Sequence, residues 1–241
     1  MIKKVLPKTA LISVSNKSGI LTFARLLQKN GVKIFATGGT ASALKDAGIK
    51  VSKVSSISRF PEIFGGRVKT LSPYISGGIL GQRDKDKAEA KKNNITWIDL
   101  VVCNLYPFSG VAKNTNSTMD EKIENIDIGG PTMIRAAAKN FKWGSVVVSP
   151  KDYRSVGAAI SNGGLTEKRR FSLAKKACGH CAEYDKPSLK HYQKIRPNMI
   201  LCVMVKILTN KLLLSKVARP PLLVFHRPNN TKVRLFHIII F

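Results

Sequence analysis

The chain has 241 residues, with 41 Lys and Arg against 14 Asp and Glu, a net charge of +27. Its hydrophobic share of 44% is enough for a real core. No apolar run reaches the 18 residues of a membrane helix, so no membrane association is expected.

The basic excess is uneven. Residues 186–241 hold 11 cations and no acid, whereas residues 1–185 hold the other 30 cations and all 14 acids. No basic stripe interleaved with aromatics accompanies it. This argues against a nucleic-acid partner and fits a phosphate-bearing small molecule, or simply a basic proteome. The N-terminus MIKKVLPKTALISV lacks a signal-peptide core and a small-residue cleavage site. Together with four cysteines (Cys103, Cys178, Cys181, Cys202) read as reduced thiols, it suggests a cytoplasmic protein. Cys178 and Cys181 form one CxxC around His180 with no second pair, so no metal site is expected.

In chain order, Ala10–Ser15 is a short apolar run that reads as a strand. Ser15 or Asn16 is expected to cap a helix running to about Lys29, closed by Gly31. Lys33–Thr37 reads as a second strand. The pair Gly38-Gly39 and a helix capped by Thr40 and ended by Gly48 follow. Ile98–Asn104 is almost continuously apolar, as in a strand covered on both faces, and Ser145–Ser149 reads as another. Strands alternating with helical patterns predict an α/β three-layer sandwich with a mostly parallel sheet over residues 1–150. A polar helical extension is expected over 151–185. Ligands of such sheets bind beyond the carboxyl ends of the strands. The turns SVSNKSG, ATGGT and CNLYPF fall there. A glycine pair lets the backbone approach a phosphate closely, and Lys17 supplies charge.

Ile126–Asn140, IDIGGPTMIRAAAKN, carries the most chemistry. Asp127 precedes two glycines, and Pro131 suits the first position of a helix, where no N–H is needed. The N–H groups of Ile128, Gly129 and Gly130 would then be free to bind an oxyanion or a phosphate. The plainer alternative is a capping Asp, with Lys139 a surface cation. The segment GGRVKTL places Arg67 and Lys69 around one valine, and by itself it also reads as a solvated loop.

In order and spacing, LISVSNKSG, ATGGT, GGRVKTL, CNLYPF and DIGGPTMIRAAAKN resemble the IMP cyclohydrolase domain of the bifunctional purine-biosynthesis enzyme, over about Lys8 to Asp185. The resemblance implies a methylglyoxal-synthase-like fold and closure of the purine ring of formyl-aminoimidazole carboxamide ribonucleotide. The 5-amino nitrogen is expected to attack the formyl carbon, and water to leave. Asp127 would accept a proton from the amine or orient it, the N–H groups of Ile128 and Gly129 would face the formyl oxygen, and Lys69 and Tyr106 would form a polar pair near the reacting carbon. Lys139 would assist proton transfer or charge balance, and Arg67 would bind or orient the base and its neighbours. Ser13, Ser15, Lys17, Thr37, Gly38, Gly39 and Thr40 look like the phosphate and ribose side, with Thr70, Cys103 and Asn104 also on the nucleotide. No cofactor is implied for this step; 10-formyltetrahydrofolate belongs to the family's transformylase domain. A homodimer is possible. The same fold resembles methylglyoxal synthase and the regulatory domain of carbamoyl-phosphate synthetase, so a non-catalytic nucleotide-binding module is the alternative. One departure stands out: the family has His after KTL, where this chain has Ser72.

The acid-free segment 186–241 is expected to be an out-of-frame reading. The codons for Cys202–Lys211, CVMVKILTNK, read from their third base, can spell the RYGENPHQQ with which the family's next domain opens. A divergent basic tail is the other explanation. On the first, transformylase activity is expected to be missing.

Overall fold

The computed structural model describes residues 4–105 and 118–195. Tyr106 and all but the first ten residues of the 186–241 segment lie outside that range. The sheet has five strands: β1 (Thr9–Val14), β2 (Lys33–Ala36), β3 (Ser52–Lys53), β4 (Leu100–Asn104) and β5 (Ser145–Val147). Their order is β3-β2-β1-β4-β5, and every pairing is parallel. The four strands expected from sequence are neighbours, as the α/β sandwich requires. The two-residue β3 has no apolar run to announce it.

Burial on both faces explains the apolar strands. Ala10, Ile12, Ile34, Ala36, Leu100, Val102 and Val147 face one core, and Leu11, Phe35, Val101, Cys103 and Val146 face the other. The two-residue period of a strand produces this alternation. The first core is closed by α1 (Ile20–Lys29), α2 (Gly38–Asp46) and, later in the chain, the helix Tyr153–Ser161. The second lies under helices that come from three stretches of chain. The first stretch holds α3 (Ser55–Ser58) and α4 (Pro73–Leu80), followed by α5 (Lys87–Lys92), which adds no residue to that core. After β4 come α6 (Met119–Glu124) and α7 (Gly129–Lys139), of which α7 packs on that core. Tyr153–Ser161 is α8, and α9 (Glu167–Ile195) is the long C-terminal helix, continuing past Asp185. Its Ala174, Ala177, Cys181 and Tyr184 seal the second core. Arg170 is fully buried at the start of α9 and donates to the carbonyls of Phe141, Lys142 and Leu165. This ties α9 to the turn that follows α7.

Three helix starts differ from the sequence expectation. Gly19, at φ +70°, is the N-cap of α1, while Asn16 forms a local turn by accepting the Ser18 N–H. Thr40 lies inside α2, whose cap position is Thr37; the Thr40 hydroxyl instead bonds the backbone of Val14. Pro131 is the third residue of α7, still within the turn that needs no N–H partner.

Candidate active site

With strand order 3-2-1-4-5, the order of strand addition reverses between β1 and β4, and the crevice beyond their carboxyl ends is where such sheets hold ligands. A cavity of about 810 Å³ lies there. The loops after β1 and β2, the end of β4 at Asn104, the segment 64–71 and the turn 123–130 line it.

One end is built by the sheet. Ser13, Ser15 and Lys17 come from β1 and its loop, and Thr37, Gly38, Gly39 and Thr40 from the start of α2. Buried Thr37 donates its hydroxyl to Ser13 Oγ at 2.9 Å. Buried Thr40 accepts the Val14 N–H at 3.1 Å and donates to the Val14 carbonyl at 3.2 Å. Asn104, at the end of β4, accepts the Asn16 N–H at 2.8 Å and donates back to its carbonyl at 3.0 Å. These bonds fix the loops that flank the opening. A Cβ at Gly39 would meet nothing within 4 Å, so the glycines leave open space in front of a helix N-terminus. The N–H groups of Gly38 and Gly39 find no acceptor among the described residues. Unpaired N–H groups at a positive helix end, with Lys17 beside them, suit an oxyanion such as a phosphate.

The other end is the turn before α7. Asp127 accepts the Gly130 N–H through Oδ1 at 2.8 Å. Its carboxylate thus serves the helix start in the way the plainer sequence reading held. Oδ2 has no hydrogen-bond partner among the described residues. The N–H groups of Ile128 and Gly129 have none either, and both residues line the cavity with Asp127. The two glycines are crowded by side chains. A Cβ on Gly130 would lie 2.5 Å from Asp127 Oδ2 and 2.6 Å from Leu105 Cδ2, and one on Gly129 would lie 2.6 Å from Thr70 Oγ1.

Between the ends runs the segment 62–71. Phe64, Gly65 and Gly66 all have positive φ (53°, 64° and 93°), which coils the chain so that Arg67, Lys69 and Thr70 line the cavity. Lys69 pairs with Glu62 at 3.5 Å, and Arg67 with Glu124 at 3.4 Å. Both pairs are exposed enough to be worth little, about 0–1 kcal/mol, so either cation can change partner at small cost. Glu62 was not singled out from the sequence. Its neighbours Phe60 and Pro61 gave no cue, and only the coil brings it to Lys69.

Two expected residues lie elsewhere. Lys139 is exposed in the last turn of α7, ten residues from Gly129, or about 15 Å along a helix. It does not line the cavity, because a helix that starts at the site carries its far end away. The Cys103 side chain is buried in the second core, where burial, and then the nearby Asp127 charge, push its thiol up. It faces away because alternation along β4 gives Asn104 to the cavity and Cys103 to the core. Ser72 lies outside the cavity too. It caps α4 by accepting the Tyr74 N–H at 3.2 Å and donates to the Ser58 carbonyl at 3.0 Å. Among the described residues no three His, Cys, Asp or Glu side chains gather as metal ligands, and no helix is long and apolar enough to cross a membrane.

Residues 19–132 match the model of the MGS-like domain, and residues 137–208 match that of the AICARFT/IMPCHase bienzyme. The chain is 50% identical over 182 residues to the bifunctional purine biosynthesis protein PurH of Neisseria meningitidis serogroup A, covering 74% of this chain and 34% of that protein. It is 52% identical over 196 residues to PurH of a Thermoanaerobacter species, covering 80% of this chain and 38% of that protein. It thus spans about a third of the length of these curated relatives. Among solved structures, the crystal structure of ForH superposes with a TM-score of 0.69 at 34% identity, covering 77% of this chain and 99% of that one. The parallel sheet, the cavity at its carboxyl edge and these matches agree: the chain belongs to the AICARFT/IMPCHase family of purine biosynthesis and carries its MGS-like domain.

Proposed function

We propose that this chain acts as an IMP cyclohydrolase, closing formyl-aminoimidazole carboxamide ribonucleotide to IMP with loss of water. The observation that carries the reading is the unpartnered Asp127 Oδ2 beside the unpaired N–H groups of Ile128 and Gly129, in the same cavity as the Lys17 and Gly38-Gly39 end. A ribonucleotide needs a charged anchor for its phosphate and, at the other end of the cavity, groups for its base.

The substrate's formyl group already sits on the 5-amino nitrogen. The nucleophile that completes the six-membered ring is therefore the carboxamide nitrogen. An amide nitrogen is a poor nucleophile, so removing its proton as it attacks matters. Asp127 Oδ2 takes that proton. The formyl oxygen gains negative charge as the ring closes, and the Ile128 and Gly129 N–H groups stabilise it without reorganising. Lys69, released from Glu62, gives that oxygen one proton and Asp127 returns the one it took, so the oxygen departs as water. The 5-amino nitrogen gives up its own proton to Lys69 as its double bond to the former formyl carbon forms. Attack within one molecule needs only the right conformer, which anchoring the phosphate at the far end and orienting the base by Arg67 supply. Tyr106, assigned to the reacting carbon by the resemblance, lies outside the described residues. Lys139 has no direct part in it. The step asks for no cofactor, and a soluble cytoplasmic setting fits it.

The test is incubation of the protein with the formylated ribonucleotide while IMP formation is followed. Turnover above the uncatalysed rate supports the reading. Nucleotide binding without turnover would instead favour a regulatory module of the same fold.

A further inference from the structure

Two hydrogen bonds reach the reacting end of the cavity from α9, more than fifty residues further along the chain. The Asp127 N–H donates to the Tyr184 hydroxyl at 2.6 Å. The Leu105 N–H donates to His180 Nε2 at 3.4 Å. Tyr184 is 8% exposed and packed within the second core, so its ring cannot follow solvent, and its hydroxyl is set by packing. Leu105 is the residue before Tyr106, and its side chain lies against the space that a Cβ on Gly130 would occupy. The two acceptors therefore hold the two strands of chain between which the reaction would run: the end of β4 and the turn that carries Asp127. The helix bearing them is itself held at its start by the buried Arg170.

We infer that Tyr184 and His180 are positioning residues of this site, setting the Asp127 carboxylate and the backbone leading into Tyr106 for ring closure. The inference rests on the cyclohydrolase reading. Neither side chain lines the cavity. Their effect is indirect. Asp127 has its carboxylate fixed by Gly130 and its amide fixed by Tyr184, so the unpartnered Oδ2 has little freedom left. A displacement of about 1 Å at a reacting group can cost on the order of a hundredfold in rate. The MGS-like match ends at residue 132 and the second match begins at 137. The site residues lie in the first segment and their supports in the second, so neither segment alone forms the geometry.

The test uses the full chain with Tyr184→Phe, which keeps the buried ring and removes only the acceptor. Turnover of the formylated ribonucleotide is expected to fall roughly tenfold to a hundredfold, with IMP affinity and melting temperature close to wild type. Amide hydrogen exchange at Asp127 is expected to speed up. His180→Gln, whose side-chain oxygen can still accept the Leu105 N–H, is expected to retain most of the turnover that His180→Leu loses. Unchanged kcat in Tyr184→Phe would overturn the inference, as would a loss of turnover that only mirrors lost IMP affinity and melting temperature. A wild-type chain that binds IMP but makes none overturns the cyclohydrolase reading instead. In that case unchanged exchange at Asp127 in Tyr184→Phe would show that the clamp is absent as well.

Discussion

The phosphate end of the cavity and the reacting end solve different problems. At the phosphate end, Thr37, Thr40 and Asn104 are buried, and their side chains cross from one strand or loop to the next. The sheet itself sets that end, so it stands ready before a ligand arrives. At the reacting end, Arg67 and Lys69 sit in exposed ion pairs on a coil held by positive φ, and only the turn at Asp127 is tightly fixed. The lesson is a division of labour. Under the proposed function, a rigid anchor would hold the phosphate, and movable cations could leave Glu62 and Glu124 to follow charge as it develops. Geometry at the second end then depends on two crowded glycines and on α9.

Gly130→Ala should break the second end most completely. Its methyl would press into Asp127 Oδ2 and Leu105 at 2.5–2.6 Å. Overpacking of this kind costs about 1–3 kcal/mol, and here it would also push the carboxylate off line. Ring closure is expected to fall at least a hundredfold, while ribose 5-phosphate affinity stays near wild type. An equal loss of both would mean that the two ends are one mechanical unit.

Thr40→Val should break the first end. It keeps the shape but leaves the buried Val14 N–H without its acceptor, a loss of about 1–3 kcal/mol. Nucleotide affinity and urea stability are expected to fall together, with kcat at saturation changing less than KM. A pure kcat effect would contradict the anchoring role.

The smallest effect concerns acid. Burial first, and Lys176 second, hold His180 below its usual value. A depressed histidine stays neutral in the folded chain while the unfolded chain takes up a proton below pH ~6.5. Its contribution to stability is therefore present above that pH and is lost as pH falls through the folded value. The urea midpoint should decline between pH 7 and pH 5, and His180→Gln should flatten that slope. Equal slopes in both proteins would remove His180 from the acid sensitivity.

Much of this was legible in the chain, for identifiable reasons. Leu11, Ile12, Val101 and Val102 announced their strands because both sheet faces are covered. Gly38-Gly39 and Asp127-Ile128-Gly129 announced turns because local backbone geometry limits what can stand there. Distance hid the rest. Nothing near Tyr184 in sequence points to Asp127, since the bond between them depends on how α9 lies across the sheet. Lys139 looked near Asp127 in sequence, yet a helix carries it away from the cavity. Thr40 looked like a cap because hydroxyl residues cap helices, and only the neighbouring strand shows that Val14 claims it. Ser72 stood out against the family's usual His, and here it serves a helix start outside the cavity.

The most direct measurement of the central claim is ring closure by Asp127→Asn beside wild type, with IMP affinity measured on both. The amide oxygen can still accept the Gly130 N–H, so the turn survives while the base is lost. The cyclohydrolase reading predicts IMP formation by the wild-type chain and a turnover lower by roughly 10²–10⁴-fold in the variant, the usual scale for a general base, at nearly unchanged IMP affinity. Wild-type turnover in Asp127→Asn would contradict it.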